Sequence, residues 1–340
     1  MEVEGVQILL WVIAAWAATV ALLPIVIRFA WRIGALDVPG EARRIHQTSV
    51  PRVGGLAFFI VFVAVSFLCG AVSGWLRFAI AGAAIVFTIG FADDLVGLPA
   101  WLKFFFQAVA AAFSVGGMQS GTWIGAFAAF FWILLLTNAH NLIDGMDGLF
   151  AGTAIAESLA LAISYVFLGL SPFLPLLLAA TCAGFYHYNR SPARIFAGDC
   201  GSGSVGFLLG TLSIPLFTGQ SWGFSFLAPI FIMAYPIADV ATTILRRSIR
   251  RHPLFLADRG HLHHLLFDLG LSSRVAGRIL IGVSASFSML GVLFLRLEFA
   301  PYAAVVCLLC IAVLLFARHA VMAWSWRGKV GKRVDFYRKI

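Results

Sequence analysis

Charged side chains are so sparse in this 340-residue sequence that long stretches between them are almost wholly apolar, and this spacing constrains the fold more than any single motif. Only 11% of the residues are Asp, Glu, Lys or Arg, against 61% apolar or aromatic, whereas a soluble domain carries about 25% charged residues. So few charges cannot cover a water-exposed surface, which excludes a soluble globule and predicts an all-α polytopic membrane protein. A bilayer core takes about 20 apolar residues per helix. Cutting the chain at charge clusters and at Gly and Pro breaks predicts eleven transmembrane helices, at 7–28, 53–73, 77–94, 103–119, 122–140, 148–169, 172–188, 201–219, 222–245, 276–296 and 300–319. Residues 1–7 are acidic rather than basic and no small-residue cleavage site follows, so the first run reads as a helix and not a leader. The five cysteines suggest neither a disulfide framework nor a thiol zinc site, and most read as apolar filler.

Lys and Arg number 24 against 15 Asp and Glu, a net charge of +9. In a soluble chain that excess would suggest nucleic acid; here it reports orientation, because basic residues concentrate in cytoplasmic loops. With the N-terminus outside, 22 of the 24 fall on the cytoplasmic side, leaving Arg77 and Arg296 outside. The expectation is one integral membrane domain over residues 1–340, N-terminus out and C-terminus in, with a cytoplasmic loop at 246–275 and a basic cytoplasmic tail at 320–340. The same topology places Asp93, Asp94, Asp144, Asp147, Asp199, Asp258, Asp268 and all eight histidines on the inner side. One-sided carboxylates and imidazoles predict an active site at the inner membrane surface, whereas a transporter places ionisable groups near the midplane.

Four clusters carry the chemistry. In Gly90-Phe91-Ala92-Asp93-Asp94-Leu95, two adjacent carboxylates at a helix end cannot point the same way, so one can serve a metal and the other act as base or orienter. Taken alone, such a pair is more often a solvated helix end. Lys103 follows at the start of the next helix, where it can neutralise a phosphate or snorkel to the interface. The second cluster, Asn138-Ala139-His140-Asn141-Leu142-Ile143-Asp144-Gly145-Met146-Asp147-Gly148-Leu149, is far richer in polar groups than a plain interhelical loop requires. The i, i+3 spacing of Asp144 and Asp147 predicts one helical face. Together they suit Mg²⁺, which takes a few carboxylates plus water and substrate phosphate oxygens.

In the third cluster, Asn189 to Gly203, Asp199 opens a helix amid small residues. It is either a cap or part of a phosphate site at the helix N-terminus. The fourth is the loop from Arg246 through His252-Pro253-Leu254-Phe255 to Asp258-Arg259-Gly260-His261-Leu262-His263-His264. His261, His263 and His264 cannot share one helical face and their surroundings are rich in Arg, so donors to a pyrophosphate fit better than a zinc site. A basic loop on anionic lipid explains the arginines but not the histidines. His46, Pro51, Arg52, Gly54 and Gly55 offer a further anion or lipid-phosphate contact, and Glu157 and Asp239 fall inside spans as candidate buried polar partners.

These segments in this order resemble the polyprenyl-phosphate N-acetylhexosamine-1-phosphate transferase family, glycosyltransferase family 4. The likeness runs from Arg44-Ile45-His46 and Pro51-Arg52-Val53-Gly54-Gly55 through Asp93-Asp94, Asn138–Leu149 and Asn189–Ser202 to the His cluster. The Asp258–His264 block is similar to the undecaprenyl-phosphate GlcNAc-1-phosphate transferase-like branch, which serves O-antigen and other lipopolysaccharide or teichoic-acid chains. It is less similar to the phospho-N-acetylmuramoyl-pentapeptide translocase of peptidoglycan synthesis, the alternative within the family. Arg251-His252 departs from the Gly or Ser that this branch often has there, which bears on the identity of the sugar.

The resemblance implies a Mg²⁺-dependent enzyme, with Mn²⁺ a substitute, in the bacterial inner membrane. Its substrates would be undecaprenyl phosphate and a UDP-N-acetylhexosamine, its products undecaprenyl-diphospho-N-acetylsugar and UMP, and a homodimer is a candidate assembly. It implies that Asp93 positions or deprotonates the lipid phosphate with Asp94 in support, and that Asp199 leads the metal ligands with Asp144 and Asp147. It further implies that Asn138, Asn141 and Asn189 contact nucleotide and Lys103 a phosphate. His46 would meet lipid phosphate, and Arg259, His261, His263 and His264 the pyrophosphate and sugar.

Overall fold

The structure is a computed structural model that describes residues 5–38, 49–118, 122–218, 224–250, 266 and 270–295. His46, Arg259, His261, His263 and His264, the eleventh expected span and the basic tail lie outside the described residues.

Twelve helices are described: α1 (Gly5–Ile33), α2 (Gly55–Leu68), α3 (Leu76–Val96), α4 (Ala100–Gly117), α5 (Trp123–Ile143), α6 (Leu149–Phe167), α7 (Phe173–Asn189), α8 (Gly198–Leu212), α9 (Ile214–Thr218), α10 (Ala228–Ile232), α11 (Ala234–Arg250) and α12 (Ser273–Phe294). Among the described residues, 7 helical stretches are long and apolar enough to cross a membrane. Their outward faces are apolar, as lipid-facing surfaces must be: Trp101 is 70% exposed and Trp123 79%, each at the start of its helix. Tryptophans at helix ends suit the membrane interface, where the ring meets lipid and the indole N–H meets water.

The first eight expected spans and the tenth each correspond to a helical stretch, and the eighth and ninth differ from expectation in continuity. The eighth breaks at Ser213 between α8 and α9, because Pro215 has no N–H for the Thr211 carbonyl and its ring crowds that group. The ninth, expected as one helix over 222–245, is instead a 3₁₀ turn over Phe224–Leu227, then α10 and α11, separated at Met233. Pro229 and Pro236 sit in the first turns of α10 and α11, where a missing donor is tolerated, so two prolines start helices rather than kink one. The all-α expectation also gains a two-residue antiparallel ribbon, β1 (Leu36–Asp37) on β2 (Val50–Pro51), pairing Leu36 with Pro51.

Helix α8 is the centre of the bundle, buried at every residue from Cys200 to Leu212. Glycines let three neighbours reach its backbone. A Cβ on Gly55 of α2 would lie 2.5 Å from the Gly201 Cα, one on Gly90 of α3 2.6 Å from the Cys200 nitrogen, and one on Gly206 2.5 Å from the Leu136 carbonyl of α5. Small residues allow such approach where lipid offers no hydrophobic drive to pack helices. The contact at Gly90 brings the C-terminal end of α3 against the N-terminal end of α8, which is where the carboxylates are. Deeper in the bundle, His140 of α5 donates from Nδ1 to the Leu136 carbonyl at 2.9 Å, and its Nε2 lies 2.7 Å from Oε2 of Glu157 on α6. Both side chains are fully buried. Removing one partner of such a pair costs about 3–5 kcal/mol. Glu157 is thus the buried polar partner the sequence suggested.

Candidate active site

The site forms where α3 ends and α4 and α8 begin. Gly97, at φ 68°, stops α3 and returns its amide to the Asp93 carbonyl. Pro99 then leads extended into α4, so Lys103 sits on the first turn of the next helix. This tight reversal folds the chain back on Asp93, whose Oδ1 accepts the Leu98 amide at 2.6 Å. Lys103 Nζ donates to Asp93 Oδ2 at 2.9 Å and to Asp199 Oδ2 at 2.6 Å, joining two carboxylates that are far apart in sequence. Both carboxylates and the amine keep some exposure, so the triad can exchange partners with an incoming ion.

Asp94, one residue on, points about 100° further round the helix and does something different. Its Oδ1 accepts the Asp199 amide at 2.9 Å and its Oδ2 the Cys200 amide at 3.0 Å, which satisfies two of the orphan N–H groups at the start of α8. Arg52 completes the set, its Nη2 donating to Asp94 Oδ1 at 3.0 Å. The Asp94 side chain is fully buried. It therefore anchors α8 and holds Asp199 in place, and it has no exposed oxygen for a substrate. Gly198 turns into α8 at φ 74°; a Cβ there would collide with the Arg52 carbonyl and the Asp94 carboxylate.

Arg52 is a site residue that sequence reasoning passed over as one member of an anion-contact loop. Its position is set by the ribbon and by a backbone strap. Arg52 N donates to the Ala35 carbonyl at 3.1 Å, Phe196 N to Pro51 at 2.8 Å, and Gly54 N to Phe196 at 2.9 Å. The run Pro51-Arg52-Val53-Gly54-Gly55, part of the likeness to the transferase family, was the available signal.

Asp144 caps the C-terminal end of α5 and is half-buried. Burial, then the nearby carboxylates of Asp199 and Asp94, push its carboxyl well above the ordinary Asp range, opposed by a hydrogen bond from the Gly198 amide. The expectation that Asp144 and Asp147 share a helical face is corrected. Helix α5 ends at Ile143 and α6 starts at Leu149, so the two lie in the intervening turn and diverge. Asp147 accepts the Ala193 amide at 3.1 Å instead. Asn189 is 1% exposed and tied at both ends, its Oδ1 taking the Gly148 amide at 3.1 Å and its Nδ2 donating to the Ile195 carbonyl at 2.9 Å. These two residues stitch the α5–α6 turn to the α7–α8 loop. Asn141 Nδ2 donates to Ser202 Oγ at 3.1 Å, and Asn138 Nδ2 to Gln107 Oε1 at 3.0 Å, so both amides fasten α5 to its neighbours at the site's edge.

Asp93, Asp94, Lys103, Asp144 and Asp199 are thus brought together, while Asp147 and Asn189 face a second junction. Among the described residues no group of three or more His, Cys, Asp or Glu is already arranged to hold a metal. The donors nevertheless suit Mg²⁺ chemically: they are all oxygen, and Asp144 is crowded by like charge from Asp199 and Asp94, which a cation would relieve. With a cation bound, such a cluster could neutralise and orient phosphate groups at one end of the bundle.

Comparison with known proteins gives concordant results. The family model for glycosyl transferase family 4 matches residues 75–217, the stretch that carries every assembled site residue except Arg52. The chain is 34% identical over 306 residues, 85% of each chain, to a probable undecaprenyl-phosphate N-acetylglucosaminyl 1-phosphate transferase of Bacillus subtilis (strain 168). It is 31% identical over 292 residues, 72% of each chain, to the decaprenyl-phosphate N-acetylglucosaminephosphotransferase of Mycobacterium tuberculosis (strain ATCC 25618 / H37Rv). It is 26% identical over 323 residues, 88% of this chain and 87% of the other, to the undecaprenyl-phosphate alpha-N-acetylglucosaminyl 1-phosphate transferase of Escherichia coli (strain K12).

Proposed function

The chain belongs to glycosyl transferase family 4, and from that premise we propose that this multi-pass membrane enzyme transfers N-acetylglucosamine 1-phosphate from UDP-N-acetylglucosamine to undecaprenyl phosphate. The products are undecaprenyl-diphospho-N-acetylglucosamine and UMP. The observation that carries the reading is Lys103 lodged between two carboxylates, Asp93 and Asp199, at the end of the bundle. A polyprenyl phosphate presents its headgroup at that level, and a nucleotide sugar arrives from water. The choice of sugar rests on the relatives' names.

An oxygen of the lipid phosphate forms a bond to the β-phosphorus of the donor, the bond from that phosphorus to the bridging oxygen breaks, and UMP leaves with the bridging oxygen. Such transfer needs in-line placement and charge neutralisation more than covalent help. Asp93, steadied by the Leu98 amide, positions the acceptor phosphate and takes its proton where it carries one. Lys103 shifts from the two carboxylates to a phosphate oxygen as substrate enters. Asp94 and Arg52 keep Asp199 aimed at the site. Asp199 and Asp144 would hold Mg²⁺, which supplies neutralisation of the diphosphate when bound, while Asp147 braces the α5–α6 turn through the Ala193 amide. Arg259, His261, His263, His264 and His46 would add contacts to pyrophosphate, sugar and lipid phosphate. The site end of the bundle would face the cytoplasm, and the product would start a cell-surface glycan such as O-antigen.

The test is UMP release by the purified protein with undecaprenyl phosphate, Mg²⁺ and a panel of UDP-N-acetylhexosamines and UDP-muramyl-pentapeptide. Release with UDP-N-acetylglucosamine is expected. Release with the muramyl donor alone would replace the assignment by the peptidoglycan reaction, and release with none would refute it.

A further inference from the structure

At the same end of the bundle, with none of Asp93, Lys103 and Asp199 in its lining, a cavity of about 570 Å³ opens between the end of α7, the loop after it and the first turns of α12. Arg190 and Arg194 line it from the loop, and Arg274 and Arg278 from α12. Arg274 and Arg278 are four residues apart and share a helix face. Four guanidinium groups around one cavity repel one another unless an anion sits among them. The one carboxylate in the lining, Asp147, already accepts the Ala193 amide. Among the described residues none of the four arginines has a carboxylate partner. The hydrogen bonds they do make go to backbone carbonyls, from Arg274 to Ser191 at 3.3 Å and from Arg278 to Arg274 at 3.4 Å. Helix α12 also begins here, and its N-cap Ser272 makes no side-chain cap bond, so the positive end of a 22-residue helix adds to the same field.

A second observation separates a lipid from a soluble anion. Val275, Ile279 and Val283 are exposed at 40%, 43% and 39% and recur every four residues along α12. Each of the first two follows an arginine of the cavity by one position. An apolar stripe therefore starts beside the basic cavity and runs along the helix away from it. A soluble phosphate ester has no use for that stripe, whereas a phospholipid would lay an acyl chain on it with its phosphate among the arginines.

We propose that this cavity binds the phosphodiester headgroup of an anionic phospholipid, at a site apart from both transferase substrates. The lipid clamps the α7–α8 loop to α12 and so braces the segment that delivers Asp199. The shared chemistry is a phosphate anion, and a soluble ester is the competing source.

The test is native mass spectrometry of the full-length protein in neutral detergent, offered phosphatidylglycerol or phosphatidylcholine, with glycerol phosphate as the soluble competitor. The readout is binding, so it is independent of whether the chain performs the proposed transfer. One retained phosphatidylglycerol per chain is expected, at least about tenfold preferred over phosphatidylcholine and not displaced by glycerol phosphate. Arg274→Gln/Arg278→Gln and Arg190→Gln/Arg194→Gln, on opposite walls, should each remove that preference, while Arg77→Gln should keep it. Either pair suffices if the other fails to fold, as judged by gel filtration. Equal retention of the two lipids, unchanged preference in a folded double variant, or displacement by glycerol phosphate would overturn the proposal.

Discussion

Asp94→Asn changes one oxygen to an amide nitrogen at the point where α3, α8 and Arg52 meet. With the remaining oxygen at the Oδ1 position, the bonds from Arg52 and the Asp199 amide survive. The new nitrogen faces the Cys200 N–H, donor against donor, where a carboxylate oxygen had accepted at 3.0 Å. A lost hydrogen bond to a charged group is worth about 1.5–3 kcal/mol. The weakened attraction to Arg52 adds less, because that side chain is 30% exposed and water screens it. Relief of burying a charge offsets part of the loss, leaving a net cost of about 1–3 kcal/mol. For 340 residues the usual unfolding entropy converts this to a fall in Tm of about 1–4 °C. The first turn of α8 loosens with it, and a misplacement of about 1 Å at Asp199 lowers turnover about 10²-fold. Thermal unfolding in detergent and UMP release on the same preparation measure both. Wild-type values for both would refute the anchoring role. Lost turnover at an unchanged Tm would refute it too, since Asp94 would then act on substrate and not through α8.

Other substitutions separate the remaining roles. Asp93→Asn should lower turnover about 10²–10⁴-fold, the range for a positioned acid or base, with Tm nearly unchanged in the same melting assay. Lys103→Met should leave Asp93 and Asp199 facing each other without a cation, raising KM for both substrates, and Lys103→Arg should recover part of the loss in steady-state kinetics. Gly198→Ala forces a methyl group into the Arg52 carbonyl and an L residue to φ 74°; it should cost at least about 1–2 kcal/mol from backbone strain alone and show as a lower denaturation midpoint. The Asp144 carboxyl is raised in the folded state, so the stability it contributes is full below the ordinary Asp pKa and is lost as pH rises through the raised value. Melts without Mg²⁺ should therefore show Asp144→Asn more stable than wild type near neutral pH, and added Mg²⁺ should raise Tm for wild type and less for the variant.

The membrane class and most helices were legible because lipid imposes a single strong rule on sequence, long runs without charge. That rule also explains where the reading went astray. Pro215, Pro229 and Pro236 left the apolar runs at residues 201–219 and 222–245 unbroken in hydropathy while interrupting them in hydrogen bonding. Asp144 and Asp147 have helical spacing, but Gly145 and Gly148 allow a turn, and the chain takes it, with Gly148 at φ 75°. The site was legible as a set of residues and not as a division of labour. Asp93 and Asp94 read alike in sequence, yet one faces Lys103 and the other is a buried cap.

By itself the sequence determined that this chain is a helical membrane protein whose scarce carboxylates gather in a few motifs, since the cost of putting charge into lipid leaves them little freedom to lie elsewhere. It also carried the likeness to a transferase family. Only the tertiary structure decided which carboxylates meet, because residues 93, 103 and 199 are joined by the close approach of α3 to α8 at Gly90 and by the reversal at Gly97. Such contacts depend on how helix backbones pack in three dimensions, a property that a one-dimensional pattern of apolar and polar residues does not encode. The same packing tied Asn189 and Asp147 to the α7–α8 loop and gave Arg52 its place beside Asp94.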